Sequence, residues 1–516
     1  MATKNLEDIE YTADHYSYLR RDERYNRLTE EHVEYFKSIL PKENVICSFD
    51  NSEETKKELL KFNIDWMKKY RGQSQLVLLP TSTEEVSKCL MYCNENKLAV
   101  VPQSGNSGLV GGSVPVFDEI IISTKKMNKI IDFDDMSGVL ICNAGCVLAD
   151  LEAYASERGF MVPLDMGSKK YCCIGGNVSS NAGGLRYLRY GSLHSNVLGL
   201  EVVLANGQVI ENLSRLRKDS TGYDIKQLFI GAEGTLGIVT NVAISTPRKP
   251  KAVNAVILST NSWENVQVIY KKAKEELQEI ISAFEFFDEH AYSLVKKHMK
   301  MEAPLKQANE FYILIETHGS NKEHDDAKLD AFLDTIKKLN AAQEGYVSKS
   351  DEQTRSFWAM RESVPVACSM NGAVFKYDLS IPMASLYSVA VDMRKRLMEA
   401  NVYRPDDETS EVINVAAYGH IGDGNIHINI SCKSYSKEIT DLIEPYIYEW
   451  TQEHNGVISG EHGLGLMKGA YLGYSKSSVM INIMQNIKNL LDPNNIMNPY
   501  KYLPKKMVTR LSDIRS

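Results

Sequence analysis

The chain has 516 residues, of which 43% are hydrophobic and 24% charged, and a formal net charge of -8. That length is too great for one core and predicts two or more domains, while the composition is that of an ordinary globular protein. The acidic balance argues against nucleic acid as a general partner, and no apolar run approaches the roughly 18 residues of a membrane span.

Residues 1 to about 70 are charged and aromatic without strand alternation, and are expected to form helices around the outside of a core. The opening residues Met1 to Glu10 carry acids and lack both the basic character of a mitochondrial presequence and the apolar stretch of a signal peptide. They favour the cytosol, with the mitochondrial matrix as the alternative. The nine cysteines include no C-x-x-C pair and fit reduced thiols, and the final Asp513 to Ser516 match no targeting signal.

From Arg71 the texture changes. Gln75 to Pro80 reads as a short apolar strand, and Ser82-Thr-Glu-Glu85 as a capping box opening a helix to about Asn96. With the strand at Leu98 to Pro102 this makes a right-handed crossover unit. Strands follow at 120–123, 138–142, 200–204 (with a turn at Asn206-Gly207) and 237–244, and the basic Arg248 to Lys251 marks a boundary. Beyond it, strands at 252–259, 283–287 and 311–316 alternate with helical stretches at about 264–280 and 325–340, the texture of a ferredoxin-like sheet with helices on one face. Residues 477–492 read as helical, and Asn498-Pro-Tyr-Lys501 closes the chain.

Three glycine-rich loops stand in the first large region: Pro102-Gln-Ser-Gly-Asn-Ser-Gly-Leu-Val-Gly-Gly-Ser-Val-Pro115, Gly175-Gly-Asn-Val-Ser-Ser-Asn-Ala-Gly-Gly184 and Gly231-Ala-Glu-Gly-Thr-Leu-Gly237. Such loops aim backbone N–H groups at an anion and let a pyrophosphate approach closely. One is weak evidence, but three in sequence argue for an extended cofactor lying across them. The chain has neither G-x-x-x-x-G-K-[ST] nor a G-x-G-x-x-G between strand and helix, so a dinucleotide held here needs a fold other than the Rossmann type.

Further on, Tyr418-Gly-His-Ile-Gly-Asp-Gly-Asn-Ile-His-Ile-Asn429 and Gly460-Glu-His-Gly463 gather three of the eleven histidines and a glutamate between glycine turns. Ile426 to Ile430 alternates with strand period, so His427 and Asn429 share one face, and the turn brings His420 onto the neighbouring segment. A purely structural hairpin is the competing reading of that segment alone. Two histidines and a carboxylate are instead what a catalytic divalent metal requires, since they leave positions open for substrate.

Taken in order, the three loops, Arg189-Tyr-Gly-Ser192, Leu200 to Leu204, Lys218-Asp-Ser-Thr-Gly-Tyr223, the two histidine segments and Asn498-Pro-Tyr-Lys501 resemble the FAD-linked oxidoreductases of the vanillyl-alcohol oxidase superfamily, in the D-2-hydroxyglutarate and D-lactate dehydrogenase branch. Asp65 to Gln73 and the segment around Arg361 look closest to the D-2-hydroxyglutarate dehydrogenases. The resemblance covers about residues 60–503. It implies an α+β protein: an N-terminal helical segment (1–70), a bipartite FAD-binding domain (71–249), a ferredoxin-like substrate domain (250–460) and a helical C-terminal segment returning to the flavin (461–516).

The resemblance further implies the roles of individual residues. Pro102, Ser104, Gly105, Asn106, Ser107, Gly108, Gly111 and Gly112 would hold the pyrophosphate. Asp165, Gly175, Gly176, Ser180, Asn181 and Gly184 would follow the flavin's length, and Glu233, Gly234, Ile238 and Asn498 would complete the FAD contacts. His420, His427 and Glu461 would bind zinc or a similar divalent ion, and His462 would be the base and touch substrate. Arg361 and Lys376 would hold the carboxylates, with Asn429 orienting the substrate. The expected reaction is oxidation of a D-2-hydroxy acid, most closely D-2-hydroxyglutarate to 2-oxoglutarate. The alternatives are a D-lactate dehydrogenase and a D-2-hydroxyglutarate–pyruvate transhydrogenase. The electron acceptor is left open among a 2-oxo acid, an electron-transfer flavoprotein and a quinone, and a homodimer is one option for assembly. Three departures stand out: Ser104-Gly-Asn-Ser107 replaces the usual Gly-Gly-Asn-Thr, Pro365 stands where animal 2-hydroxyglutarate enzymes carry a substrate-contacting threonine, and Lys169-Lys-Tyr-Cys-Cys173 replaces more polar residues before the second loop.

Overall fold

The computed structural model describes residues 6, 9–16, 18–405, 407 and 409–504. The tips of the expected N- and C-terminal segments, with the targeting readings made on them, lie outside the described residues. The chain divides into two compact units: 1–182, 192–248 and 461–516 form the first, and 183–191 and 249–460 the second.

The first unit holds two sheets. One has four strands, β1 (Val45–Cys47), β2 (Leu76–Leu78), β3 (Val100–Gln103) and β4 (Ile120–Ser123), in the order β1-β2-β4-β3. β2 and β3 both run parallel to β4, which lies between them, and β1 pairs antiparallel with β2. The strand β1 corrects the expectation that residues 1–70 are helical only. It is three residues long between two 3-10 turns, too short for a period of two to register. The helix Thr83–Glu95 buries Val86, Cys89, Leu90 and Cys93 against these strands. Ser82 accepts from the Glu85 N–H, but the Glu85 carboxylate turns back to the Thr81 N–H at 2.6 Å rather than to that of Ser82. The expected capping box is thus half formed, because the loop offers an unpaired N–H one residue earlier.

The second sheet of this unit is antiparallel, with β5 (Ile130–Asp134), β6 (Val139–Asn143), β7 (Val197–Val203), β8 (Val209–Asn212) and β9 (Ile238–Ser245) in the order β5-β6-β9-β7-β8. Central β9 is buried throughout, and Val242 and Ile244 join Leu140, Leu200 and Val202 in one core.

The second unit is built on one seven-stranded antiparallel sheet. Its strands are β10 (Ala252–Thr260), β11 (Ile281–Asp288), β12 (Phe311–Gly319), β13 (Glu344–Val347), β14 (Ala373–Ser380), β15 (Val412–His420) and β16 (Asn425–Cys432). Their order is β13-β10-β12-β11-β15-β16-β14, so the ferredoxin-like core expected from three strands is extended at one edge by β15, β16 and β14. On one face Tyr270 of the helix Trp263–Glu276 packs edge-on to Phe284, with Trp263 against Phe286. The other face carries the helix Asp351–Ser369, joined to the sheet through Trp358, Arg361 and the Cys368 carbonyl.

Candidate functional site

Register explains why so many polar side chains meet on the second unit's sheet. Directly paired residues point to the same face, and that face recurs every second residue. Glu285 pairs with His420, Tyr418 with His427, His427 with Asp378, and Asn429 with Lys376. All therefore lie on the face covered by the helix Asp351–Ser369, while Phe284, Phe286, Phe375, Tyr377, Ile426, Ile428 and Ile430 line the opposite face. The strand reading of Ile426 to Ile430 holds, and β15, ending at His420, is the neighbouring segment that the turn at Asp423-Gly-Asn425 was expected to supply.

His420 and His427 are buried, with ring centroids 5.2 Å apart and planes at 87°. His420 Nδ1 is 2.8 Å from Glu285 Oε1, which directs its Nε2 away from that carboxylate. His427 Nδ1 is 3.8 Å from Asp378 Oδ1. Asp378 is fully enclosed and accepts from Asn425 Nδ2 at 2.8 Å, Ser459 Oγ at 3.0 Å and the Gly460 N–H at 3.0 Å. Gly460 must be glycine at so close a packing, since a Cβ there would lie 2.2 Å from Asn425 Nδ2. Two buried imidazoles, one seated on a carboxylate, suit a divalent cation in donor type and in support.

Arg361 and Lys376 are buried as well, at 3% and 8% exposure, so neither is an ordinary surface charge. Arg361 presents Nε and Nη2 to Glu285 Oε2 at 3.1 and 2.8 Å, and its guanidinium sits 4.8 Å over the Tyr418 ring. Burial pushes the Lys376 ammonium down to about 8. Asn429 donates to Tyr418 Oη at 3.1 Å. Pro365 lies inside the helix that carries Arg361, one turn further on, where Ser369 Oγ donates to its carbonyl.

Two buried acids were missed by sequence reading, Glu285 and Asp378. For Glu285 the available signal was an acid inside an otherwise apolar strand, Ala283-Phe-Glu-Phe-Phe287, whereas Asp378 shares Val374-Phe-Lys-Tyr-Asp-Leu379 with Lys376 and is marked only by its neighbours Tyr377 and Leu379. Glu316 is a third such acid. It accepts from Trp358 Nε1 at 2.7 Å and Arg186 Nε at 2.9 Å, and lies 2.8 Å from His318 Nε2. Burial opposes its charge, but Arg186 and His318 outweigh that and hold its carboxyl well below the usual range.

In the first unit the glycine loops interlock. A Cβ on Gly105 would lie 2.4 Å from the Tyr171 carbonyl, one on Gly176 3.1 Å from Ser104 Cβ, and one on Gly234 2.9 Å from Pro102 Cγ. A Cβ on Gly108 would meet nothing within 4 Å, so this stretch of the loop faces open space. Asn106, Gly111, Asn181, Glu233 and Gly234 adopt left-handed backbone. Asn106 ties the first loop down through Nδ2 to the Ile64 carbonyl at 2.8 Å and accepts from Ser113 Oγ at 2.8 Å. Gly175, Gly176 and Ser180 lie in the short helix Ile174–Ser180, Asn181 closes it, and Ile238 opens β9. Asp165 pairs with Lys169 at 2.7 Å. Gly184, with a φ of +79°, belongs to the segment 183–191 of the second unit. A backbone stripped of side chains beside open space is a cradle that fits the pyrophosphate of a dinucleotide.

The Glu233 oxygens accept from the Leu464 and Gly465 N–H groups at 2.7 and 2.8 Å, so this side chain fixes the turn that follows His462. Burial raises its pKa, against the pull of those N–H groups and of Lys468 and Lys501. Asn498 Nδ2 donates to the Gly112 and Glu233 carbonyls at 3.0 and 2.8 Å, and Lys501 Nζ to the Val114 carbonyl at 2.6 Å. The closing segment thereby holds the first and third loops together. His462 Nε2 lies 3.9 Å from Glu461 Oε1, both on irregular chain immediately after Gly460.

Comparison with known proteins assigns a family domain to each unit's main part. Residues 74–212 match the FAD binding domain family and residues 249–502 the C-terminal domain of FAD linked oxidases. The D-2-hydroxyglutarate–pyruvate transhydrogenase of Saccharomyces cerevisiae is 49% identical over 95% of this chain and 98% of its own length. The mitochondrial D-2-hydroxyglutarate dehydrogenase of Arabidopsis thaliana is 48% identical over 95% of this chain and 85% of its own. Among solved structures, p-cresol methylhydroxylase with substrate bound superimposes with a TM-score of 0.73 over 92% of this chain and 98% of that one, at 17% identity, a likeness of fold. With both family domains in order and relatives near half-identical along almost the whole sequence, the chain belongs to the FAD-linked oxidases, in the branch of its D-2-hydroxyglutarate dehydrogenase relatives.

Proposed function

We propose that this protein is an FAD-dependent dehydrogenase that oxidises D-2-hydroxyglutarate to 2-oxoglutarate, using a divalent cation at the paired histidines. The observation that carries the choice of a dicarboxylate is the burial of Arg361 and Lys376 on the same face as His420, His427 and Asn429. Two buried cations are more than a single carboxylate needs. Arg361 offers a planar fork to one carboxylate, and Lys376 a point charge.

FAD, when bound, supplies the acceptor for the hydride that leaves C2. The loops 102–112 and 175–181 would hold it, with Gly108 exposing its backbone to the pyrophosphate and Glu233 and Asn498 keeping the loops in place. His420, His427 and Glu461 would hold the cation, whose contribution is Lewis acidity beside the substrate's hydroxyl and carboxylate oxygens. Support for Glu461 as third ligand is that it follows Gly460 directly, and the Gly460 N–H is fixed on Asp378, which also faces His427. His462 takes the hydroxyl proton on its imidazole, so that C2 gives up a hydride and the product is the 2-oxo acid. Asn429, held by Tyr418, orients the substrate. The acceptor that reoxidises the flavin is proposed to be a 2-oxo acid, in keeping with the name of the yeast relative. The mitochondrial matrix is the location favoured by the plant relative's name, and the cytosolic expectation finds no support there. Subcellular fractionation decides between the two.

Steady-state kinetics of Arg361→Ala and Lys376→Ala on D-2-hydroxyglutarate and D-lactate test the substrate. Each substitution should lower kcat/KM for the dicarboxylate about 10- to 100-fold, from roughly 1.5–3 kcal/mol per hydrogen bond to a charged group, and affect D-lactate less. Equal losses on both acids would favour a D-lactate dehydrogenase.

A further inference from the structure

One buried carboxylate joins the two halves of the proposed site. Glu285 is 1% exposed, in the middle of β11, and its oxygens are divided: Oε1 is 2.8 Å from His420 Nδ1, and Oε2 is 2.8 Å from Arg361 Nη2 and 3.1 Å from Arg361 Nε. Its strand neighbours Phe284 and Phe286 point to the opposite face, so backbone register alone aims it at the histidine. Arg361 reaches it from the helix Asp351–Ser369, whose other anchors on this sheet are Trp358, bonded to Glu316, and the Cys368 carbonyl, which accepts from Ser431 Oγ.

We propose that Glu285 is a positioning residue that sets the metal-binding histidine and the substrate-binding arginine together, one oxygen for each. Oε1 accepts the Nδ1 proton of His420, which fixes the tautomer whose Nε2 is unprotonated and able to ligate a cation, and fixes the ring plane. Oε2 accepts from Nε at 3.1 Å and lies 2.8 Å from Nη2, which makes no hydrogen bond, so the Nη1 and Nη2 groups are left to donate to a substrate carboxylate. It also offsets part of the charge that Arg361 would otherwise carry unshared in the interior. The consequence is that metal affinity and selectivity for the dicarboxylate depend on the same side chain, although Glu285 touches neither ligand. This inference rests on the site assignment proposed above.

The test compares the flavin-loaded protein with its Glu285→Gln and Glu285→Asp variants, using cobalt(II) as the probe metal. Cobalt affinity is read by chelator competition and from the visible spectrum of the bound ion, and kcat/KM is measured for D-2-hydroxyglutarate and D-lactate. Glu285→Gln should weaken cobalt binding about 10- to 100-fold, the usual cost of losing the partner behind a ligating histidine. It should also lower the ratio of kcat/KM for the dicarboxylate over D-lactate. Glu285→Asp keeps the charge but is one methylene shorter, and should recover one effect at most. Unchanged cobalt affinity and an unchanged ratio in a folded variant would overturn the proposal. If Glu285→Gln fails to fold, full recovery of both readouts by Glu285→Asp overturns it equally, because reach to both partners would then be immaterial. Absence of cobalt binding by the unsubstituted protein would instead sink the metal assignment, and with it the histidine half. The selectivity ratio would still decide the arginine half.

Discussion

Lys376 is the residue whose environment makes the sharpest statement about pH. Burial favours its neutral form and brings its pKa down to about 8 from a usual 10.5, so in the free enzyme the ammonium is lost as pH rises through about 8. A dianionic substrate needs the charged form, and once bound it favours that form again. The kcat/KM for D-2-hydroxyglutarate should therefore fall about tenfold per pH unit above pH 8, while kcat at saturation stays flatter. Lys376→Met should have a lower kcat/KM without that limb. A limb that survives the substitution belongs to another group. The resemblance and the sequence named Lys376 but could not show its burial, because a lysine in Val374-Phe-Lys-Tyr377 reads equally well as the solvated side of a strand. Glu285 and Asp378 were missed for a related reason. Among 67 acidic residues, only the apolar neighbours along a strand mark such an acid as buried, and the nearest side-chain partners of these two are 47 and 76 positions away.

At the level of elements, continuous apolar strands such as β2, β7 and β9 were legible, and so was the alternating one bearing His427 and Asn429. Short or edge strands such as β1, β5 and β13 were not, because three to five residues with mixed burial do not set a period. The glycine loops were legible as loops, but their division of labour was not. Gly105 is glycine because the backbone at Tyr171 and Cys172 leaves no room, whereas Gly108 has room to spare. Two alanine substitutions separate these causes. Gly105→Ala should destabilise the flavin-stripped protein by about 1–3 kcal/mol, as overpacking does, seen as a lower Tm. Gly108→Ala should leave the Tm of the stripped protein unchanged and weaken flavin binding, measured by fluorescence titration. If Gly108→Ala binds flavin normally, the first loop does not approach the cofactor there.

On the scale of the whole molecule, motif order was the legible signal. No single glycine loop or histidine segment fixes a family, yet their succession pointed to the family in which relatives are 48–49% identical over 95% of the chain. A likeness of fold extends to an enzyme only 17% identical, so the fold tolerates wide change in sequence. The central claim is that the chain couples a bound flavin to oxidation of a D-2-hydroxy dicarboxylate, and anaerobic titration of the purified protein tests it most directly. The protein should be yellow, with visible flavin absorbance bleached stoichiometrically by D-2-hydroxyglutarate, D-lactate being less effective and the L-enantiomer inert. A protein without flavin, or a flavin that D-2-hydroxyglutarate leaves oxidised, would contradict it.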